Sequence, residues 1–419
     1  MVCSSSLPTP SYTSASPTEL PPPDTSFTPI SSPASRLAFL LNPRGGNGRA
    51  YQSWTSAWPS ILPRLAASTP DIAADVFTST HPGHLEELAR ACAAAGYDVI
   101  VAVGGDGSIH EVINGLLPAD PQIVASTIAS RVSPLLAIVP CGTGSDFVRS
   151  LPWGKDPSSS SSPSSPRPST STGSRATVPR PTTTTHSPLP STPETEEIIT
   201  AVDRILSSER TETTMDVGYA YAYGEGGRRG RYFINMASCG FSSHAARLAN
   251  SLFKPLGRWG LAYDVAGAVA LVTQRPVPVR VSWTTTAAST TSDCRRESWN
   301  VPFPTVIAMG NGQYFGGGMR MAPKADVSNG SLSLVMLTGY RVWDFVRLLG
   351  KIKDGSWVDI ANKVRPGVAE ARMVDVDRVE VVPLRPQAAQ SLWLECEGEV
   401  LGHAPFQVVA IPQAIRLIL

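Results

Sequence analysis

Val99-Ile100-Val101-Ala102-Val103-Gly104-Gly105-Asp106-Gly107-Ser108-Ile109-His110-Glu111-Val112-Ile113-Asn114-Gly115-Leu116 changes its period in the middle. Residues 99–103 are an unbroken apolar run, the pattern of a strand buried on both faces. Past the glycines, Ile109, Val112, Ile113 and Leu116 recur at helical spacing, which sends His110, Glu111 and Asn114 to the other face. Two more segments repeat this order. Residues 37–41 run into Asn42-Pro43-Arg44-Gly45-Gly46-Asn47-Gly48, and residues 135–139 into Pro140-Cys141-Gly142-Thr143-Gly144-Ser145-Asp146. Between them residues 72–78 read as a strand, and Leu85, Leu88, Ala89 and Cys92 fall on one helix face. Strands alternating with helices predict an α/β fold with a parallel sheet and right-handed crossovers. All three glycine turns then stand at the carboxyl ends of the strands, where such sheets bind ligands. Glycine lets the backbone approach a ligand closely, and the helix N-terminus behind it presents N–H groups to phosphate. One such turn is as easily a bare reversal. Three together, carrying Asp106, Thr143, Ser145 and Asp146, point to a nucleotide.

From residue 215 the character changes to short strand-like runs over 232–236, 277–283, 305–309, 332–337, 379–382, 392–394 and 407–411, predicting a mainly antiparallel, β-sandwich-like second domain. Residues 241–274 interrupt it with a helical pattern whose Lys254, Arg258 and Trp259 suit a flap at a membrane surface, or a plain helical connection. Residues 1–35 and 155–193 are rich in Ser, Thr and Pro and poor in apolar residues, and are expected to be a disordered tail and insertion. A net charge of +1 on 419 residues gives no field for gathering polyanions, so nucleic acid is not an expected partner. Six scattered cysteines without a CxxC pair argue against a disulfide framework or structural zinc and favour the cytoplasm. No apolar stretch reaches the ~18 residues of a membrane span.

The turns exclude several nucleotide enzymes. There is no GxxxxGK[ST], no HRD or DFG, and no GxGxxG at the first turn. The ordered set Asn42-Pro43-x-x-Gly46, the Gly104 to Leu116 motif, Gly142-Thr143-Gly144-Ser145-Asp146-Phe147, Gly316-Gly317-Gly318-Met319-Arg320-Met321-Ala322-Pro323 and Glu397-Gly398-Glu399 instead resembles the diacylglycerol kinase catalytic-domain family, which includes bacterial lipid kinases, sphingosine kinases and ceramide kinases. The resemblance implies an ATP-binding α/β domain over 36–154, a helix completing or linking it over 194–214, and a lipid-binding β-rich domain over 215–419, with the C-terminal strand free to return to the first domain. It implies ATP and Mg²⁺ as cofactors. Asn42, Pro43, Gly46, Gly104, Gly105, Asp106, Gly107, Ser108, Glu111, Gly142, Thr143, Gly144, Ser145 and Asp146 would cradle the nucleotide, with Ser79 or Thr80 adding a hydroxyl. Asp106, Glu399 and Glu397 would be the catalytic carboxylates.

Four positions depart from the family pattern. Ser145 replaces the asparagine of GTGND, Ser108 the threonine of GGDGT, and Glu397 the aspartate of DGE. Asp326 is the single acid left where bacterial members hold a structural magnesium. The expected function is phosphoryl transfer from ATP to the hydroxyl of a diacylglycerol or a sphingoid base or ceramide, at a membrane surface. The alternatives are a kinase of a soluble acceptor such as NAD, and a nucleotide- and lipid-binding regulator without catalysis.

Overall fold

The computed structural model describes residues 35–68, 72–124, 134–142, 145–151, 192–207, 209–224, 227–253, 266–267, 269–270, 272–286 and 294–419. Nearly all of the expected tail and insertion falls outside them, as do Thr143, Gly144, Lys254, Arg258 and Trp259, while Ser35, counted with the tail, is the first residue of β1. The first half runs β1 (Ser35–Leu41), α1 (Arg49–Ala67), β2 (Ile72–Thr78), α2 (His84–Ala94), β3 (Val99–Gly104), α3 (Asp106–Leu116), β4 (Leu135–Pro140), α4 (Asp146–Ser150) and α5 (Pro193–Leu206). The second runs β5 (Glu212–Gly224), β6 (Gly227–Phe233), β7 (Met236–Gly240), α6 (Phe241–Leu248), β8 (Val279–Thr286), β9 (Cys294–Val301), β10 (Pro304–Gly310), β11 (Leu332–Thr338), α7 (Val342–Asp354), α8 (Trp357–Val364), β12 (Glu370–Val376), β13 (Arg378–Pro383), β14 (Trp393–Cys396) and β15 (Glu399–Ile418).

Strands β2, β1, β3 and β4 are parallel neighbours in that order, with Leu37 level with Ala74 and Val99, and Val99 level with Leu135. Their apolar residues go to both faces. One face packs on α2 and α3 through Leu85, Leu88, Ile109 and Val112, the other on α1 and α5 through Trp54, Ile61, Ile198 and Val202. Helix α5 starts where the sequence supplies a cap: the Thr192 hydroxyl accepts from the Thr195 N–H, and Pro193 opens the first turn. The second half is antiparallel, in the order β12-β11-β10-β7-β14-β15, with β13, β8 and β9 closing over Val279, Val281, Leu334 and Phe406. This is the α/β plus sandwich-like architecture that the sequence predicts.

One strand joins the halves. Over 20 residues β15 pairs antiparallel with β14, β13 and β5, then lies parallel to β4 at Leu417 and Leu136. It shifts register between Ile411 and Ile415, where the buried Asp216 carboxylate accepts the N–H groups of Gln413 (2.8 Å) and Gly330 (2.6 Å). The strand expected over 232–236 is two strands meeting at a corner, because Ile234 and Asn235 turn their N–H groups to a side chain instead of a ladder.

His110 and Asn114 add to the helical reading of residues 106–116. Their face of α3, opposite the apolar one, is itself buried, against β6. His110 Nε2 lies 2.8 Å from the Tyr232 carbonyl, and Asn114 brackets the same peptide, its Oδ1 accepting from Tyr232 N (3.0 Å) and its Nδ2 donating to Tyr232 O (3.0 Å). Burial holds the His110 imidazole neutral, its pKa down at about 3. A strand edge from the second half is thus fastened to the helix that starts at Asp106. Asn114→Ala strips the buried Tyr232 N–H of its partner and is expected to cost about 2 kcal/mol, read as a lower urea midpoint with an unchanged slope.

Candidate active site at the carboxyl edge of the parallel sheet

The three glycine turns meet. Asn42, at the end of β1, donates through Nδ2 to the Ser108 hydroxyl (3.0 Å) and accepts the Arg44 N–H on Oδ1 (3.0 Å), tying the first turn to the second. Gly46 has φ +58, and a Cβ there would stand 2.9 Å from the Cys141 carbonyl, tying the first turn to the third. A Cβ on Gly142 would stand 2.5 Å from the Gly105 Cα, so the second and third turns touch backbone to backbone. No other residue fits that approach. Gly107, in the first turn of α3, is exposed, with open space where its Cβ would be. Pro43 sits within the first turn.

Asp106, the first residue of α3, accepts the Asp146 and Phe147 N–H groups on its two oxygens (3.0 Å each), capping α4. Asp146 accepts the Gly317 N–H (2.8 Å) and pairs with Arg149 (3.2 Å). Burial raises both carboxyls, and Asp106 helps push Asp146 up to about 6. Ser145, between the turn and α4, takes a left-handed conformation (φ 48) that asparagine tolerates better than serine.

Glu397 comes to this place from the other half. Glu397 and Gly398 are the two central residues of the β14–β15 hairpin, both at positive φ (54 and 79), the type I′ geometry that favours Asp-Gly or Asn-Gly. The Glu397 Oε1 accepts from Asn235 N (2.6 Å), Ile234 N (3.0 Å) and Met236 N (3.4 Å). Its carboxyl is nonetheless raised to about 8, by burial first and then in part by the charge of Asp106. Glu395 supports the hairpin from below, accepting the Gly398 N–H (2.8 Å) and bonded to the Ser238 hydroxyl. The charge of Asp106 thus acts, with burial, to raise both Asp146 and Glu397.

The other expected site residues divide. Ser79 stands beside the first turn through its N–H to Leu41 O (2.9 Å), and the Thr80 hydroxyl lies 3.1 Å from His84 Nδ1. Glu111 points back to cap α2, accepting from Leu85 N (3.2 Å). Glu399 is exposed and apart from Glu397, its charge felt by Glu111. It lines a groove of about 560 Å³ with His244, Arg247 and Asn250 of the segment that follows β7. Asp326 lies elsewhere, exposed, its carboxylate turned onto Ser328 N (3.0 Å) and the Ser328 hydroxyl (2.7 Å). Among the described residues the one group with metal-ligand spacing is His81, His84 and Glu87. Sequence reasoning missed the N–H cradle of residues 234–236 and the Gly317 contact, since backbone donors leave no composition signal.

Residues 36–165 match the diacylglycerol kinase catalytic domain, and residues 235–419 match the YegS C-terminal NAD kinase beta sandwich-like domain. The chain is 25% identical over 312 residues to the diacylglycerol kinase of Bacillus subtilis (strain 168), covering 72% of this chain and 78% of that protein. It is 33% identical over 116 residues to human sphingosine kinase 1, covering 28% of this chain and 27% of that one. A diacylglycerol kinase crystal structure from Bacillus anthracis str. Sterne shares the fold, with TM-score 0.53 at 18% identity over 93% of this chain and 98% of that one. The chain belongs to the lipid kinase family of the diacylglycerol kinase, sphingosine kinase and YegS type. Membership implies ATP and a divalent metal.

The raised carboxyl of Glu397 has a consequence for stability. The folded protein keeps a proton to about pH 8 that an ordinary glutamate releases near 4.5, so stability is full below 4.5 and is lost as pH rises through 8. Glu397→Gln is expected to flatten the upper part of that fall, checked by urea midpoints at about pH 7 and about pH 8.5. Equal slopes in the two proteins would count against it.

Proposed function

We propose that this protein transfers the γ-phosphoryl group of ATP to the hydroxyl of a membrane lipid, a diacylglycerol or a sphingoid base or ceramide. The observation that carries the reading is that Asp106, at the edge where the three glycine turns touch, stands near enough to Glu397 of the β-rich half for its charge to help raise that carboxyl. One carboxyl belongs to the nucleotide half and the other to the β-rich half, so a reaction between ligands of the two halves has its acid–base groups at the seam.

The residues fit the cofactors the family implies. Asn42, Pro43, Gly46 and the second and third turns, with Ser79 or Thr80 beside them, would hold the nucleotide through backbone N–H groups at helix starts. Asp106, Asp146 and Glu397 offer the carboxylate oxygens that a hard cation such as Mg²⁺ takes, and their mutual repulsion favours its binding. Such an ion, when bound, offsets charge on the phosphates. The protein's own part is placement. The acceptor oxygen bonds to the γ-phosphorus as the bond to the bridging oxygen of ADP breaks, and the hydroxyl proton passes to the Asp106–Glu397 pair. Asp106 keeps spare lone pairs for this after accepting two N–H groups. Glu399, at the mouth of the α6 groove, is placed to meet the acceptor's polar head.

The test is phosphoryl transfer from ATP and Mg²⁺ to micellar diacylglycerol, sphingosine and ceramide, with NAD as the soluble control. Asp106→Asn is expected to lower kcat at least about a hundredfold while nucleotide still binds. Transfer to NAD alone, or an Asp106→Asn protein as active as wild type, would sink the reading. Gly142→Ala is expected to abolish nucleotide binding itself, seen by loss of ATP-induced thermal stabilisation, because its methyl would collide with Gly105.

A further inference from the structure

At the end of the β-rich half remote from the carboxylates, the turn from β11 into α7 is ringed by exposed apolar side chains. Trp343 is 75% exposed, Phe303 62% and Val368 61%. They come from three separate segments held tightly together. The Phe303 carbonyl accepts both the Gly339 N–H (2.9 Å) and the Thr338 hydroxyl (2.9 Å). Arg365 donates to the Gly339 carbonyl (2.9 Å), and the Val368 carbonyl presses on Gly339, 2.3 Å from where a Cβ would stand. The Thr305 hydroxyl reaches Tyr340 O (3.2 Å). A rigid base therefore presents three apolar tips to solvent, against the cost of leaving them there.

The exposed charge on the helix that carries Trp343 has one sign, while Glu370, two residues past Val368, is paired with Arg372 (2.6 Å). Between Arg341 and Lys351 the exposed charges of the described residues are Arg341, Arg347 and Lys351. The single acid, Asp344, is buried, capping α7 through the Arg341 N–H (2.9 Å) and paired with Arg365 (3.5 Å). Trp343, Arg347 and Lys351 stand at i, i+4 and i+8, one stripe of α7, while Leu348 and Ile352 anchor its other side in the core. Tryptophan flanked by arginine and lysine suits the boundary between anionic head groups and acyl chains.

We propose that Phe303, Trp343 and Val368, with Arg341, Arg347 and Lys351, dock this protein onto an anionic phospholipid bilayer. The choice of a bilayer over a second copy of the chain rests on the lipid-acceptor reading above. It also fits the path between the two ends. Gly240, where α6 begins, abuts Thr305 beside the tips, and Asn250 beyond α6 donates to Gly398 O (3.2 Å) beside Glu397. The Glu399 groove lies along that same segment, lined by His244, Arg247 and Asn250.

Sedimentation of the full chain with phosphatidylcholine vesicles, with and without phosphatidylserine and in the absence of ATP, tests docking apart from turnover. Wild type is expected to bind the phosphatidylserine vesicles, and the Phe303→Ser/Trp343→Ser/Val368→Ser protein at least about tenfold more weakly at an unchanged melting temperature. Arg347→Glu/Lys351→Glu is expected to lose the preference for phosphatidylserine. Phosphorylation of a short-chain diacylglycerol in free solution, measured beside this, reports on the kinase reading alone and is expected to be unchanged in both proteins. Three results would overturn docking at this face: no vesicle binding by wild type, equal binding with and without phosphatidylserine, or binding undiminished in the serine variant. A wild-type dimer dispersed by the serine substitutions would overturn it also, by naming a second copy as the occupant.

Discussion

Residues 399–418 form one strand that is a neighbour to both halves of the molecule, and the site depends on that pairing. At its start the β14–β15 hairpin holds Glu397 over the N–H groups of residues 234–236. At its end Leu417 lies beside Leu136 on the strand that leads to Gly142. A carboxyl from the sandwich and a turn from the parallel sheet are therefore fixed by one run of backbone rather than by a surface contact between domains. The His110–Asn114 bracket around Tyr232 adds a second fixed point on α3, the helix that begins with Asp106. With two separated anchors, rotation of one half against the other is resisted near the carboxylates.

The parallel sheet was legible because each of its strands is an uninterrupted apolar run ending in glycines, a pattern that few alternatives share. Its turns were legible for the same reason. Helix α1 was not, since Pro59 and Pro63 stand inside it and a proline normally ends a helix; Trp54, Ala57 and Ile61 bury enough surface to hold it. Helices α7 and α8 escaped notice because their apolar residues serve two sides, Leu348 and Ile352 the core and Trp343 the solvent. The length of β15 was hidden by Pro412 and by the register shift that Asp216 supports, so that only residues 407–411 read as strand. Helical spacing separates His110 and Asn114 from the apolar face of α3 but does not show what covers them. Their partner, a backbone peptide from 118 residues away for Asn114, has no trace in the local pattern.

Within the site, the three turns were placed together as the motifs imply, while the carboxylates separated. Glu397 and Glu399 are two residues apart, yet one is turned inward by a left-handed backbone and the other outward into the groove. The difference comes from hairpin geometry, where positive φ at both central residues aims the first side chain back beneath the preceding corner. A glutamate there bears more backbone strain than the aspartate of the family pattern, and the three N–H groups it accepts offset that strain.

The pairing of β4 with β15 also orders events during synthesis. The parallel sheet of the first half has an open edge at residues 135–140 until residues 412–418 have left the ribosome, some 280 residues later. Through that interval the edge of β4 is apolar, untwinned and close to glycine turns that need it in register. The nucleotide half can thus be complete in its helices and still lack the neighbour that covers the edge of its sheet, the kind of edge that pairs wrongly when left open.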